Sequence, residues 1–260
     1  MALERFALRV WAGLVYLFLF TPIFAVVLMS FSTSKYSTFP VRSWTGKWYS
    51  EAFGDEKIVA ALQTSLLISV VAALIATLVG TLAAMGFVRN AFRSRELLRA
   101  FFLSPLIIPE IITGIALLSF ATLLSVQGGM ILVIIGHVLI GLPFVLTVVS
   151  ARLYGFDRSL EEAAMDLGAD EVTTFRRITL PLIMPGIAGG ALLAFTVSFD
   201  NFLITYLLAG SEVMTIPVHI YSMIRFEFTP KIHAISTVII FVSVSLILVS
   251  QLLGGERRRI

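Results

Sequence analysis

Six long apolar runs, each nearly free of charged residues, set the strongest constraint on how this chain folds. They lie at residues 10–30, 62–88, 100–124, 130–150, 181–209 and 232–253. A membrane-spanning helix needs about 20 mostly apolar residues, and each run supplies them. The chain is 58% hydrophobic and only 13% charged, which excludes an ordinary soluble protein. We therefore expect an all-α, polytopic membrane protein with six transmembrane helices, forming a single domain over residues 1–260.

The basic residues predict which side of the membrane each loop faces. Thirteen arginines fall near the two chain ends and in the loops after the second and fourth runs, whereas six Lys or Arg fall elsewhere. Because cytoplasmic loops are enriched in Lys and Arg, we expect both termini to be cytoplasmic. Trp44, Trp48 and Tyr49 then lie in an outer loop and suit a membrane–water interface. The first run, bent or interrupted near Pro22, is too long for a cleaved signal peptide and no A-x-A site ends it.

The most polar stretch of the chain, residues 154–181, separates the fourth and fifth runs. Its charge is too high for a bilayer, so it lies in water at the membrane surface. Ser159 followed by Glu162 is a capping-box pattern, with Asp157 as an alternative cap. Gly168 stands where a left-handed residue ends a helix. The pattern predicts a short helix that stops at a sharp turn.

A second helix is predicted to follow this turn. Asp170 and Glu171 favour its start, and Arg176 and Arg177 suit its last turn, before Pro181 opens the next apolar run. The first helix carries one apolar stripe, formed by Leu160, Ala163, Ala164 and Leu167. Taken alone, these features also fit a solvated loop of ordinary amphipathic helices.

Seven residues of this loop stand at a characteristic spacing: Glu162, Ala163, Ala164, Gly168, Ile178, Leu180 and Pro181. The pattern resembles the EAA signature of the membrane subunits of bacterial binding-protein-dependent ABC importers. The resemblance implies a type I importer permease fold in the bacterial inner membrane, whose cytoplasmic coupling helix docks in a groove of an ATPase. It also implies the partners: a second, similar permease, two ATPase subunits and an extracytoplasmic solute-binding protein.

Two acids fall inside the predicted spans, Glu110 and Asp200. If the third helix begins near Ala100, Glu110 lies roughly 15 Å along it, near mid-membrane, and Asp200 lies roughly 25–28 Å along the fifth. A charge at such depth costs at least about 2.5–3.5 kcal/mol, so each acid is expected to face a cavity or a partner. With no basic residue at similar depth, the acids favour a path for a cationic solute. Pairing with a partner subunit or a raised pKa is the alternative.

Other features of the spans each allow two interpretations. His137 is either a hydrogen-bonded packing residue or a proton relay. Proline and glycine in the third to fifth runs produce either simple kinks or unwound segments that line a transport path. For the fourth run we expect an interruption near residues 141–143.

Several segments outside the EAA loop resemble the permeases for spermidine and putrescine. They are residues 47–49, the Ser-Pro and Pro-Glu-Ile-Ile stretches around Glu110, and residues 142–145, 198–201, 220–223 and 229–230. The resemblance implies a polyamine as solute and a substrate path that includes Glu110, Asp200 and Asn201. Relatives for phosphonates, opines and ferric iron share parts of these segments and remain alternatives. Polyamine permeases tend to have Asp-Asp where this chain has Asp200-Asn201, which argues for a less charged solute.

Enzymatic motifs are absent from the sequence. It contains no cysteine, no HExxH metal helix, no G-x-S-x-G elbow and no G-x-x-x-x-G-K-[ST] phosphate loop. We therefore expect a transport subunit that is not an enzyme and binds no metal or cofactor itself, with ATP and Mg²⁺ on the partner ATPase. An ion-driven secondary transporter would also use membrane acids, but it needs no docking loop, and a scaffold protein leaves the acids without purpose.

Overall fold

The computed structural model describes residues 2–34, 40–226 and 229–254, and most of these residues are helical. The α-helices, in chain order, are α1 (Ala2–Ser30), α2 (Lys47–Phe53), α3 (Glu56–Arg89), α4 (Arg95–Leu103), α5 (Glu110–Leu123), α6 (Met130–Tyr154), α7 (Ser159–Asp166), α8 (Glu171–Thr174), α9 (Leu180–Phe199), α10 (Leu203–Leu208), α11 (Ile216–Phe226) and α12 (Lys231–Gly254). A 3-10 turn, Ser104–Leu106, follows α4, and a π-helical segment, Phe175–Thr179, joins α8 to α9. The three arginines near the end of the chain, Arg257 to Arg259, which are expected to be cytoplasmic, lie outside the described residues.

Five helical stretches within the described residues are long and apolar enough to cross a membrane. They are formed by α1, α3, α6, α12 and the continuous run Glu171–Phe199. The pair α4 and α5 meets the same criterion together and makes a sixth span if it crosses as one unit. The prediction of an all-α polytopic membrane fold is confirmed, and α1 runs through Pro22 without interruption.

The third expected span is not one straight helix. The axes of its two halves, Arg95–Leu106 and Glu110–Leu123, differ by 106°. Pro109 directly precedes α5 with an extended ψ of 134°, and its ring also disfavours helical geometry at Ile108. Glu110 is therefore the first residue of α5. The unbroken helix from Ala100, along which the depth of Glu110 was counted, was therefore wrong, and the depth itself stays a prediction.

The fourth span does not break where the sequence predicted, and the fifth span breaks at a position that was not predicted. Near residues 141–143 the helix α6 continues, and Gly141 lies so close to α9 that an added Cβ would sit 3.3 Å from the Ala194 Cβ. This close packing supports the helix through Pro143. In contrast, α9 ends at Phe199 and the chain is non-helical until α10. The continuous helix expected over residues 181–209 was therefore wrong.

The chain divides into two compact units, Met1–Ala60 with His219–Val242, and Ala61–Val218 with Ser243–Ile260. In the first, Lys231 forms an ion pair with Asp55 at 3.0 Å, and the hydrogen bond from Lys231 lowers the pKa of the Asp55 carboxyl. Trp48 is buried and donates to the Ser32 carbonyl oxygen at 2.6 Å, so it does not face a membrane interface as expected, whereas Trp44 is exposed. A single domain over residues 1–260 stays a prediction.

The core of the second unit packs the broken segment against its neighbours. One cluster, which includes Val145 and Ile183, lies between α6 and α9. A second cluster places Ile204 and Leu208 of α10 against α6 and α5. The approach of α10 to α6 is close because a glycine, Gly136, stands at the contact. This packing positions the polar residues around the break.

Replacing Gly136 with alanine is expected to destabilise the second unit by about 1–3 kcal/mol, because overpacking forces neighbours to move. The added Cβ would lie 2.5 Å from Ile204 Cγ2 and 2.8 Å from Leu208 Cδ1. Thermal unfolding of the detergent-purified protein measures the loss. Gly86→Ala is the matched control, since a Cβ at that helical glycine meets no atom within 4 Å. Equal unfolding temperatures for the two variants would contradict the packing argument.

Candidate functional site

The break between α9 and α10 places the side chain of Asn201 against Glu110. The Asn201 Nδ2 donates a hydrogen bond to Glu110 Oε2 at 3.1 Å, and its Oδ1 accepts one from the Ile204 backbone N–H at 3.0 Å. A backbone N–H can only donate, so the amide oxygen must face Ile204 and the amide NH₂ must face Glu110. Asn201 is buried, and Glu110 is partly exposed. The Glu110 carboxylate therefore has a neutral donor as its partner.

Asp200 lies at the carboxyl end of α9, directly before Asn201. Asp200 is exposed, and its Oδ1 accepts a hydrogen bond from Ser243 Oγ of α12 at 3.0 Å. The structure thus brings the three predicted path residues together at one break. Among the described residues no Lys or Arg forms an ion pair with either acid. No group of three or more His, Asp or Glu in that part of the chain is arranged to bind a metal ion.

His137 joins the two sides of the break. Its Nδ1 lies 2.7 Å from Ser198 Oγ on α9, and its Nε2 lies 2.9 Å from Thr205 Oγ1 on α10. The Thr205 hydroxyl donates to the Asn201 carbonyl oxygen at 3.4 Å. The Thr205 oxygen must then accept a hydrogen bond from Nε2–H, which leaves Nδ1 to accept one from the Ser198 hydroxyl. His137 is 3% exposed, and these bonds fit the packing interpretation. Sequence analysis did not identify Ser198 or Thr205, because single hydroxyls in an apolar run carry no signal.

The turn after α7 has the geometry that the sequence predicts. Gly168 has a φ of +89°, in the left-handed region that favours glycine. The Gly168 N–H donates to the Met165 carbonyl at 2.9 Å, and the Ala169 N–H donates to the Ala164 carbonyl at 3.0 Å. These two bonds form a Schellman motif, which ends the helix sharply.

Aspartates cap both helices of the loop. Asp157 Oδ1 accepts from the Ser159 N–H at 3.0 Å, and Ser159 makes no capping bond itself, so the capping box was wrong and the alternative cap is the one found. Asp170 Oδ1 accepts from the Thr173 N–H at 2.9 Å. These hydrogen bonds lower the pKa of both carboxyls. The capping contribution is therefore present at neutral pH and is lost as the pH falls through the lowered pKa values.

The second helix of the loop was expected to end before Pro181, but it continues past this residue. It passes from α8 through the π segment, which carries Arg176 and Arg177, and continues into α9. The wider π turn ends directly before Leu180 and Pro181, and such turns absorb an irregularity in the hydrogen bonding of a helix. The loop is therefore joined to the spanning helix by a continuous helical backbone.

An acid outside the EAA pattern, Glu161, anchors α7 to the bundle. Its Oε1 accepts hydrogen bonds from the guanidinium of Arg89, at the end of α3, and from the hydroxyl of Thr179, in the π segment. The Arg158 guanidinium adds a bond to the Val88 carbonyl at 3.3 Å. The Glu161 side chain is only 16% exposed. Sequence analysis missed this anchor because its partners lie far away along the chain.

The apolar stripe of α7 remains largely uncovered. Leu160 is 46% exposed and Leu167 is 90% exposed. The motif acid Glu162 and Ala163 are also exposed, and Ala164 is partly buried. A docking helix requires a free apolar face of this kind. The coupling role of the EAA residues, which include Ile178, Leu180 and Pro181, stays a prediction.

Comparison with known proteins relates the chain to membrane transport. Residues 76–255 match the family described as binding-protein-dependent transport system inner membrane component. The Escherichia coli K12 spermidine/putrescine transport system permease protein PotC is 34% identical over 94% of this chain and 92% of its own length. The putrescine transport system permease protein PotI of the same strain is 38% identical over 86% of this chain and 82% of its own.

A solved structure shares the fold. A chain of the bacterial ABC transporter that imports the acidic polysaccharide alginate superimposes with a TM-score of 0.70. The match covers 98% of this chain and 96% of that chain at 17% sequence identity, so the likeness concerns the fold alone.

Glu161→Ala is expected to loosen α7 from the bundle. The loss of two hydrogen bonds to a charged group costs about 1.5–3 kcal/mol each, reduced by the partial exposure of Arg89. Hydrogen exchange should show faster exchange of the α7 amides, with unchanged exchange in α6. Glu162→Ala is the matched control, because it removes an exposed acid one residue away. The same exchange rates in both variants would show that Glu161 is no anchor.

Proposed function

This chain belongs to the family of binding-protein-dependent transport system inner membrane components, and we propose that it is the permease subunit through which an ABC importer moves a polyamine. Members of the family are transport subunits of the inner membrane and not enzymes. Its relatives PotC and PotI are named for spermidine and putrescine transport, and they cover most of the chain. Polyamine cargo agrees with these relatives, and the argument for it rests on the acids at the helix break.

The observation that carries the proposal is the grouping of Glu110 and Asp200 at one break, without a Lys or Arg ion partner among the described residues. A carboxylate within a membrane protein is retained where a cation or a polar cavity compensates it. The ammonium groups of a polyamine supply that compensation during passage. Because function resides in the site and not in the fold, the shared fold with an alginate importer leaves this argument intact.

Asn201 limits how much positive charge the site favours. Its amide contributes no charge and occupies one oxygen of Glu110. Two carboxylates match two ammonium groups, so the site suits a dication such as putrescine better than the more highly charged spermidine. Two acids also disfavour an anionic solute such as a phosphonate, whereas opines, amino-acid-like cations and ferric iron are the alternative cargoes.

The polar loop would connect this path to an energy source outside the chain. In the proposed complex, ATP and Mg²⁺ bind to a separate pair of ATPase subunits, and the exposed stripe of α7 docks on one of them. A similar permease completes the path, and a solute-binding protein delivers cargo from outside. Both termini of this chain would be cytoplasmic. Glu161 would transmit movement of α7 to the ends of α3 and α9.

Gly168→Pro is expected to abolish transport while the protein still inserts, because proline cannot adopt the positive φ of this turn. Uptake of labelled putrescine and an immunoblot of the membrane fraction measure the two effects. Gly168→Asn is the matched control, since asparagine tolerates the left-handed region, and it should retain most uptake. Full uptake by Gly168→Pro would contradict coupling through this loop. Uptake by the reconstituted complex without ATP, driven by an ion gradient, would favour a secondary transporter.

Asp200→Asn is expected to lower putrescine uptake about 10- to 100-fold, as loss of one charge-assisted contact to an ammonium predicts. Glu110→Gln should act similarly, and Asn201→Asp should shift preference toward spermidine because it adds a charge. Initial rates over a range of concentrations measure these effects. Glu212→Gln, which changes an exposed acid away from the break, is the control. Wild-type kinetics for Asp200→Asn would remove Asp200 from the path.

A further inference from the structure

Between α4 and α6 the structure contains a positively charged void and an apolar groove, and we propose that together they bind one anionic phospholipid. The void takes the phosphate of the headgroup, and the groove takes part of an acyl chain. The residues that line the two cavities do not include Glu110, Asp200, Asn201 or the EAA residues, although the groove also contacts α5 one turn after Glu110.

Two guanidinium groups in this region converge on a single neutral oxygen. Arg95 Nη2 lies 3.2 Å from the Tyr154 hydroxyl, and Arg99 Nη1 lies 3.3 Å from it. A hydroxyl has two lone pairs, so both are used and neither positive charge is neutralised. Glu96 forms an ion pair with Arg95 Nε at 3.7 Å, but the Glu96 side chain is 78% exposed, so this contact contributes little. Arg95 Nε is shielded from solvent and has no hydrogen-bond acceptor. An anion is the missing partner of this pair.

The void beside these arginines has room for that anion. Its volume is about 230 Å³, and it is lined by Arg99, Tyr154, Ser150 and Thr147 together with three apolar residues, Leu103, Leu146 and Ala151. Guanidinium and hydroxyl groups are the usual donors to phosphate oxygens in proteins. The Thr147 hydroxyl already donates to the Pro143 carbonyl oxygen at 2.8 Å, so Arg99 and Ser150 are the donors that the void offers to a phosphate group.

The adjoining groove matches an acyl chain. Its volume is about 360 Å³, and its walls are almost entirely apolar. They include Phe101 and Phe102 of α4, Leu139 and Leu142 of α6, and Ile112 of α5. An apolar groove of this kind offers no favourable contacts to a free phosphate or to a peptide carboxylate. An acyl chain fills the groove, and both the chain and the groove walls are then shielded from water.

The order of the two cavities along α6 agrees with the order of groups in a membrane leaflet. The groove contacts Leu139 and Leu142, and the void contacts the last two turns of the helix as far as Tyr154. At about 1.5 Å per residue, Leu139 and Tyr154 are roughly 22 Å apart along the helix axis. The polar loop starts after Tyr154, so the headgroup void lies at the membrane surface and the groove lies deeper. Basic pockets between spanning helices at the cytoplasmic face are typical sites for anionic headgroups.

Native mass spectrometry of the full chain in detergent tests this site. Phosphatidylglycerol should bind about 25-fold more tightly than phosphatidylcholine, since each of the two arginines contributes about fivefold. The double variant Arg95→Gln/Arg99→Gln should bind the two lipids nearly equally. Arg93→Gln, which changes an arginine just before α4 that is not one of the two bound to Tyr154, is the matched control and should keep the preference. Phosphatidylglycerol with short acyl chains should bind more weakly to the wild type, because it leaves the groove unfilled.

Three outcomes would overturn the proposal, provided that thermal unfolding in phosphatidylcholine shows each variant to be folded. The first is an unchanged preference for phosphatidylglycerol in the double variant. The second is thermal stabilisation of the wild type by inorganic phosphate alone that equals the effect of phosphatidylglycerol, which would indicate a free-anion site. The third is an assembled transporter that retains no lipid and in which Arg99 cross-links to an acid of a partner subunit.

Discussion

A helix that breaks inside a bilayer must recover the hydrogen bonds that its backbone loses, and this requirement organises the site at α9 and α10. The side chain of Asn201 takes the Ile204 N–H, and the Thr205 hydroxyl reaches the Asn201 carbonyl. His137 holds Thr205 and the last turn of α9 at once. The orientation of the Asn201 amide follows from its bond to the backbone. The Asn201 NH₂ group therefore faces Glu110 because the amide oxygen of the same side chain accepts the Ile204 N–H at the break.

Two neighbouring acids of α7, Glu161 and Glu162, differ in their surroundings. Glu161 turns into the bundle, where Arg89 and Thr179 compensate it, and it fixes α7 to the ends of two spanning segments. Glu162, which belongs to the motif, stays exposed beside the apolar stripe. A docking surface works as a lever only when its opposite side is attached firmly. The anchor holds α7 within this chain, whereas the motif residues are the ones proposed to contact the partner ATPase.

The sequence predicted those features that depend on local chemistry. Spanning helices follow from apolar length, and the turn at Gly168 follows from its place after an amphipathic helix. Two of the failures occurred where residues distant in the sequence determine the structure. Close contact with Ala194 keeps α6 helical at residues 141–143, although glycine and proline predict a break. At Phe199 neither residue type is present, and the break depends on bonds to His137 and Glu110 that no local pattern reveals.

Asn201 links the proposed cargo to the carboxylate of Glu110. An aspartate at position 201 would place a second carboxylate beside Glu110, and such a pair requires a proton or a cation to be stable. The amide removes this requirement, because its NH₂ group donates a hydrogen bond to Glu110. An arriving ammonium must then compete with Asn201 for the same oxygen. Binding is weakened by that competition, and weak binding suits a path from which the solute must leave at every cycle.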